Sequence, residues 1–270
     1  MTPSTPAQPP LSLRPDEVHL WVVEPERVTE PHLLAAYHAL LSTEERDRHQ
    51  RFRFEKHRLQ FLVSHALVRV TLSRYAPVAP AAWRFVTNAY GRPEVVGEAL
   101  PGLRFNLSHT DGMAVCAVVL GTDVGADVEY SGRPGQTVEL ADSFFSPSEA
   151  ATLRALPVEH QRERFFDYWT LKESYIKARG AGLSLPLDQF AFHLEAGRPP
   201  RISFDPRLVD EPGTWHFVQV RLSPDHPAAV AVRRDRGLPL TVRCQHTVPL
   251  ARDGAPWFVP SGLPEKAPGA

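Results

Sequence analysis

The stretch FFDYWTLKESYIKARGAGL, residues 165–183, puts charged groups where a helix is expected to be apolar. Plotted at 100° per residue, Phe166, Tyr168, Trp169, Leu171, Tyr175 and Ile176 share one broad arc, while Asp167, Thr170 and Ser174 hold the opposite side. Lys172 and Glu173 fall inside the apolar arc, and Lys177, one turn beyond Glu173, sits at its edge. An uncompensated buried charge is strongly destabilising, so a helix of this kind needs partners. The alternative is that Lys172 reaches water along its stem while Glu173 and Lys177 make an i,i+4 pair worth only ~0.3–0.5 kcal/mol. Gly180 and Gly182, which can end a helix and admit a close neighbour, tilt the reading toward a site.

The rest of the composition restricts what that site can serve. A chain of 270 residues with 43% apolar content can build one large or two small domains around a proper core. Thirty basic residues against 31 acidic ones leave a net charge of −1, so no bulk field draws the protein to nucleic acid or to a membrane. Local patches must do such work. Cys116 and Cys244 are far apart and lack metal-ligand spacing, which points to a reducing compartment without a disulfide framework or structural zinc. No run approaches transmembrane length and the N-terminus has neither a basic nor an apolar leader region, so a cytoplasmic location is expected.

Residues 1–16 are proline-rich and free of aromatics, and a disordered lead-in is expected there. Val18 to Val23 reads as a strand and Pro31 to Leu41 as a helix. Ser42-Thr43-Glu44-Glu45 is a capping box opening a second helix that carries Arg46, Arg48, Arg51 and Arg53. Apolar residues at helical spacing predict a long helix from Glu55 to Tyr75, beginning with Lys56, His57 and Arg58. Arg46 to Arg58 is the densest positive region of the chain, either a solvated helix face or an anion site. A strand from Trp83 to Val86 and a turn at Asn88-Ala89-Tyr90-Gly91-Arg92-Pro93 lead to three apolar runs, Leu103 to Leu107, Met113 to Leu120 and Val124 to Tyr130, which read as a β-meander.

A linker from Ser131 to Gln136 separates the halves. Ser146-Pro147-Ser148-Glu149 is a second capping box, in which Glu149 reads as a capping residue, starting a helix to about Leu156. After the 165–183 stretch come strands at Phe190 to Leu194, Ile202 to Phe204, Trp215 to Leu222 and Ala228 to Arg233. The expected organisation is an α+β fold with one half at residues 17–130, another at 131–236, and a loosely ordered proline-rich tail at 237–270 with a strand candidate at Leu240 to Cys244. The likeness of Met113-Ala-Val-Cys-Ala-Val to Ala228-Ala-Val-Ala-Val hints at a duplicated unit.

Two features of the first half carry chemistry. Asp127 and Glu129 are two apart on a strand, so both carboxylates leave one face and repel unless a cation joins them, an arrangement that suits Mg²⁺ with substrate phosphate. An exposed strand edge would explain the pair equally. Ser108-His109, before Thr110-Asp111-Gly112, offers a hydroxyl, an imidazole and turn N–H groups as an anion cradle, or is an ordinary hairpin. A Ser-His-Asp hydrolase is disfavoured, since adjacent strand residues point apart and no G-x-S-x-G elbow exists.

Taken in order, Asn88 to Pro93, Phe105-Asn106-Leu107-Ser108-His109, Val124-Gly125-Ala126-Asp127-Val128-Glu129, Phe144-Phe145-Ser146 with Glu149, and Trp169-Thr170-Leu171-Lys172-Glu173-Ser174 with Lys177 and Gly180-Ala181-Gly182-Leu183 resemble the 4′-phosphopantetheinyl transferases of the surfactin-synthetase-activating type. The resemblance spans roughly residues 18–235. It implies a monomer of two similar α+β halves related by a pseudo-two-fold, with coenzyme A in the cleft between them and an apo acyl or peptidyl carrier protein as partner. By position it implies Mg²⁺, or Mn²⁺ in its place, on Asp127, Glu129 and Glu173. Ser108, His109, Lys172 and Lys177 would meet phosphates, Arg92 would lie by the nucleotide, and Arg48 and Arg58 would fall near the 3′-phosphate. Glu173, Lys177 and Asp127 would carry the reaction, with Glu173, directly or through a metal-bound water, the candidate to accept the serine proton. One departure is Ala126, where a larger aliphatic residue is usual; it lies on the face away from the carboxylates, so packing rather than chemistry should change. A metal-dependent hydrolase of nucleotide pyrophosphates could use the same groups with water as acceptor. A non-catalytic coenzyme A binding protein would not require all three acids.

Overall fold

A computed structural model describes residues 10–97, 100–135, 138–234, 240–260 and 265–266. The first unit opens with β1 (Glu17–Val23), followed by the helices α1 (Pro31–Leu40), α2 (Thr43–Arg51) and α3 (Glu55–Leu72), the hairpin of β2 (Phe85–Thr87) and β3 (Pro93–Val95), and the hairpin of β4 (Leu103–Thr110) and β5 (Met113–Leu120). The second opens with β6 (Val124–Val128), followed by α4 (Ala141–Phe144), α5 (Pro147–Arg154) and α6 (Val158–Arg179), the hairpin of β7 (Phe190–His193) and β8 (Arg201–Phe204), and the hairpin of β9 (Trp215–Ser223) and β10 (His226–Arg233). The last segment adds β11 (Thr241–Val248), β12 (Arg252–Asp253), β13 (Trp257–Pro260) and β14 (Glu265–Lys266).

Both units repeat one plan. A leading strand is followed by helices, a short hairpin and a long hairpin whose second strand returns antiparallel to the leading strand. Thus β1 pairs with β5, which pairs with β4, and β6 pairs with β10, which pairs with β9. The likeness between the Met113 and Ala228 runs is therefore topological, since they are the equivalent strands β5 and β10.

Period-2 alternation then builds four layers. On β1, Trp21 and Val23 pack toward α1 and α3, while Val18, Leu20 and Val22 face the second sheet. On β6, Val124, Ala126 and Val128 join that inter-sheet core, and on the far side of the second sheet Ala229, Ala231 and Phe217 pack with Phe166, Leu171 and Tyr175 of α6. Ala126, fully buried between the sheets, has the packing role expected of it.

Three expectations are corrected. The run Val124 to Tyr130 is not the third strand of a meander: β6 pairs with β10 in the second sheet, so the division between the halves lies before β6 and not after Tyr130. The segment after residue 239 is not loose where it is described. β11 runs parallel to β1 inside the first sheet and β13 pairs with β11, burying Val242, Cys244, Trp257 and Val259. Of the expected lead-in, residues 1–9 lie outside the described residues, but Leu11 donates its N–H to Arg74 O at 2.6 Å and Leu13 is buried, so residues 10–16 pack on the fold. Among the described residues no helix is long and apolar enough to cross a membrane.

Candidate active site

The site exists because α6 lies directly on β6. A Cβ on Gly125 would stand 2.0 Å from Ser174 O and 2.4 Å from Ala178 N, so helix backbone and strand backbone touch. That approach sets Glu173 and Lys177 of α6 over the odd-numbered face of β6. Lys177 Nζ lies 2.6 Å from Asp127 Oδ1 and 2.9 Å from Ser108 Oγ, and the Ser108 hydroxyl donates to Asp127 Oδ1 at 2.9 Å. Asp127 is 4% exposed, and its Oδ2 is buried without a hydrogen-bond partner.

The other two acids are brought near but are held differently. Glu129 accepts from Trp169 Nε1 at 2.9 Å and from Arg133 at 3.0 Å. Burial first, and the charge of Asp127 second, push its carboxyl up to about 7. The same two causes raise Glu173, against the pull of Lys177. Carboxyls that resist ionising beside another carboxylate mark a place short of positive charge. Yet among the described residues no three His, Cys, Asp or Glu side chains are gathered to hold a metal. The donor chemistry and the orphaned Asp127 Oδ2 fit a hard cation; what stands on Asp127 instead is an ammonium.

The strand carrying these acids is fixed by a device not anticipated from the sequence. Where β4 runs beside β6, three alternate side chains of β4 replace backbone partners: Asn106 Oδ1 accepts from Ala126 N at 2.9 Å, Ser108 Oγ from Val128 N at 3.4 Å and Thr110 Oγ1 from Tyr130 N at 3.1 Å. The signal is the polar alternation Asn106, Ser108, Thr110 on a strand that otherwise reads apolar. Ser108 accordingly serves Asp127, Lys177 and the β6 backbone, and its proton is not directed at a phosphate as expected.

Beyond His109 opens a cavity of about 820 Å³, lined among others by Arg48, His57, Gln60, Phe61, His65 and His109. Arg48 lies over the Phe61 ring at 5.6 Å, and His65 stacks on the same ring at 3.9 Å between centroids. Glu45, the α2 capping-box acid, also accepts from His65 at 2.9 Å and from Arg69 at 2.7 Å, which ties the Arg48 helix to α3. His109 stands exposed on the cavity wall. Shielding by the protein around it, followed by the charge of Lys177, His65 and Arg48, pulls its imidazole below the usual 6.5. A smaller cavity of about 280 Å³, bordered by Tyr90, Asn106, Glu173 and Lys177, shares Gly91, Pro93 and Leu107 with the large one. The two cavities thus share a wall, with Arg48 and His109 on the larger and Arg92, Glu173 and Lys177 on the smaller.

Of the expected phosphate and nucleotide contacts, Arg58 and Lys172 are engaged elsewhere, whereas Arg92 lines the smaller cavity and is also tied to the end of α6. Arg58 is engaged locally, donating to Phe52 O at 3.0 Å and to Glu55, and does not line the large cavity. Arg92 donates to Ala178 O at 2.8 Å and to Glu94 at 2.7 Å, while Asn88 Nδ2 donates to Gly180 O at 2.9 Å. The Asn88 to Pro93 turn thus clasps the C-terminal end of α6, where Gly180 takes a left-handed φ of 63° and a Cβ would meet the Arg92 guanidinium at 2.7 Å.

Lys172 is fully buried. Its Nζ pairs with Glu149 at 2.8 Å and donates to Leu187 O and Phe190 O at 2.7 and 2.8 Å. Glu149 is more than the expected cap, since it also accepts from Phe192 N at 2.8 Å. Burial lowers the Lys172 pKa and Glu149 opposes that. Removing one member of such a pair leaves a buried charge unanswered, so Lys172→Met should cost about 3–5 kcal/mol in urea unfolding while coenzyme A affinity per folded molecule stays unchanged. Unchanged stability with weakened coenzyme A binding would restore Lys172 to the phosphates.

Two family profiles match the chain. The one described as 4′-phosphopantetheinyl transferase, N-terminal, covers residues 28–120, and the one described as the 4′-phosphopantetheinyl transferase superfamily covers residues 123–231. They divide at the β5–β6 turn, where the two units divide. The 4′-phosphopantetheinyl transferase HetI of Nostoc sp. is 36% identical over 230 residues, 84% of this chain and 92% of that protein. A 4′-phosphopantetheinyl transferase of Bacillus subtilis is 37% identical over 58% of this chain and 68% of its own. The transferase Sfp of Bacillus subtilis strain 168 is 35% identical over 58% of this chain and 67% of its own.

Proposed function

The chain belongs to the 4′-phosphopantetheinyl transferases, and we propose that its two adjoining cavities hold coenzyme A with the nucleotide in the large cavity and the pyrophosphate toward Asp127, Glu129, Glu173 and Lys177. The protein transfers the 4′-phosphopantetheine arm of coenzyme A to a carrier protein. The carrier serine oxygen attacks the phosphorus bearing the pantetheine, the bond from that phosphorus to the bridging oxygen breaks, and adenosine 3′,5′-bisphosphate leaves. Such phosphoryl transfer is mostly positioning and charge neutralisation. The observation that carries this assignment is the triangle of Lys177, Asp127 and Ser108 beside two carboxyls with raised pKa, where Lys177 lines a cavity adjoining the one lined by Arg48 and His109.

Each residue has a stated part. Arg48 and His109 bind phosphate in the large cavity. Glu173, directly or through a metal-bound water, takes the serine proton. Lys177 meets the charge that grows on the leaving oxygen. Asp127, Glu129 and Glu173 would hold Mg²⁺, or Mn²⁺, which supplies charge neutralisation at the pyrophosphate when bound.

The test is bisphosphate release from coenzyme A and Mg²⁺ with and without a panel of apo carriers, alongside the intact mass of each carrier. At least one carrier should gain one phosphopantetheine, and release without carrier should be slow. Equal release in both arms with no mass gained would make water the acceptor, and the enzyme a hydrolase.

A further inference from the structure

We propose that Lys177 is the resident counter-ion of the carboxylate site and that a divalent cation binds Asp127 only by displacing it, so that metal binding and the release of the Lys177 ammonium toward the substrate anion are one exchange. This rests on the proposed placement of the pyrophosphate toward these residues.

The geometry supplies both ends of the exchange. Lys177 Nζ, at 2.6 Å from Asp127 Oδ1 and 2.9 Å from Ser108 Oγ, already occupies one oxygen of the central carboxylate of the site. Asp127 Oδ2, buried and unpartnered, is the oxygen left open. An ammonium on one oxygen of a carboxylate and a divalent cation on the other would repel strongly at such range in a shielded site. They therefore alternate. Lys177 has somewhere to go: its side chain is 26% exposed and borders the smaller cavity with Glu173, Gly180 and Gly182. Rotation about its own stem moves the head group from Asp127 into that cavity while α6, held on Gly125, stays in place.

Coupling follows from the exchange. The substrate anion draws Lys177 off Asp127 and opens the carboxylate to metal; metal on Asp127 sends Lys177 to the anion. By linkage each must tighten the other by the same factor. Metal alone, facing a site already neutralised in part by Lys177, binds weakly.

The experiment measures Mn²⁺ binding by calorimetry and by electron paramagnetic resonance, with and without saturating coenzyme A, on the wild type, Lys177→Met and Lys177→Arg, with far-ultraviolet circular dichroism checking the fold of each. In Lys177→Met, Mn²⁺ alone should bind on the order of 10-fold more tightly than in the wild type, within the range of measured couplings between sites. With coenzyme A present the two proteins should bind Mn²⁺ alike, so the tightening by coenzyme A shrinks by that same factor. Lys177→Arg, which keeps the competing charge, should bind Mn²⁺ alone no more tightly than the wild type. Lys177→Met binding Mn²⁺ alone no better than the wild type overturns the exchange. A gain that persists unchanged with coenzyme A also overturns it, because removal of a distant charge would do the same. These affinities do not depend on turnover, so a protein that shows the exchange but modifies no carrier would refute the proposed role in transfer and leave the exchange standing.

Discussion

Asp127→Asn is expected to reduce carrier modification by about 10²–10³-fold, the range seen when a preorganised electrostatic contact is removed from a reacting centre. The circular dichroism spectrum should be unchanged. Asparagine keeps the shape and can still accept from Ser108, but it removes the charge that holds Lys177 and the open oxygen that suits a cation. Near-normal turnover at saturating Mg²⁺ would sink the carboxylate assignment.

The same substitution carries a pH signature. Glu129 titrates at about 7 in the folded protein against an ordinary 4.5, so between those values the folded protein holds a proton that the unfolded chain has released. Its contribution to stability is therefore complete below about 4.5 and is lost as pH rises through 7. The charge of Asp127 is the second cause of that shift, after burial. Asp127→Asn should pull the Glu129 pKa down, narrow the window, and flatten the fall in melting temperature between pH 4.5 and 8. An unaltered slope would mean that the two acids do not interact.

Alternation within Val124-Gly-Ala-Asp-Val-Glu made the shared face of Asp127 and Glu129 legible from the sequence. Which strand lay beside it was not. Periodicity reports a buried face, never the neighbour, and the contact between β4 and β6 is made by the side chains of Asn106, Ser108 and Thr110 and not by a backbone ladder. Lys172 showed a related limit. Its place in an apolar arc announced a partner, but a carboxylate and a phosphate satisfy that demand equally, and only the packing of α5 on α6 selects Glu149.

Arg48 and Arg58 looked alike as cations on neighbouring helices. The turn between α2 and α3 faces one into the cavity and gives the other to Phe52 O. The last strands were hidden for a different reason. Proline-rich composition describes connecting segments well, yet β11 is set beside β1 by a parallel pairing of segments more than 200 residues apart, roughly, which leaves no local trace.

Gly125→Ala should be the most damaging methyl that can be added to a glycine among the described residues. Gly125 does not occupy the left-handed region, so backbone freedom is not why glycine is required there; space is. The added Cβ would meet Ser174 O at 2.0 Å and Ala178 N at 2.4 Å, both backbone atoms of α6, and no side chain can turn aside to relieve it. Either α6 lifts off β6 by roughly 1 Å or the strand is pushed into the sheet pair behind it, and overpacking of this kind costs about 1–3 kcal/mol and at times more. Stability alone would underestimate the loss. Glu173 and Lys177 ride on α6 while Asp127 and Glu129 ride on β6, so the lift separates the two halves of the reacting centre, and misplacement by about 1 Å can cost roughly 10²-fold in rate. The expected result is a lowered melting temperature together with a large fall in turnover per folded molecule, with active fraction measured by unfolding in the same buffer. A folded variant of wild-type stability and turnover would show that helix and strand are not in contact at Gly125, and the construction of the site on that contact would fail.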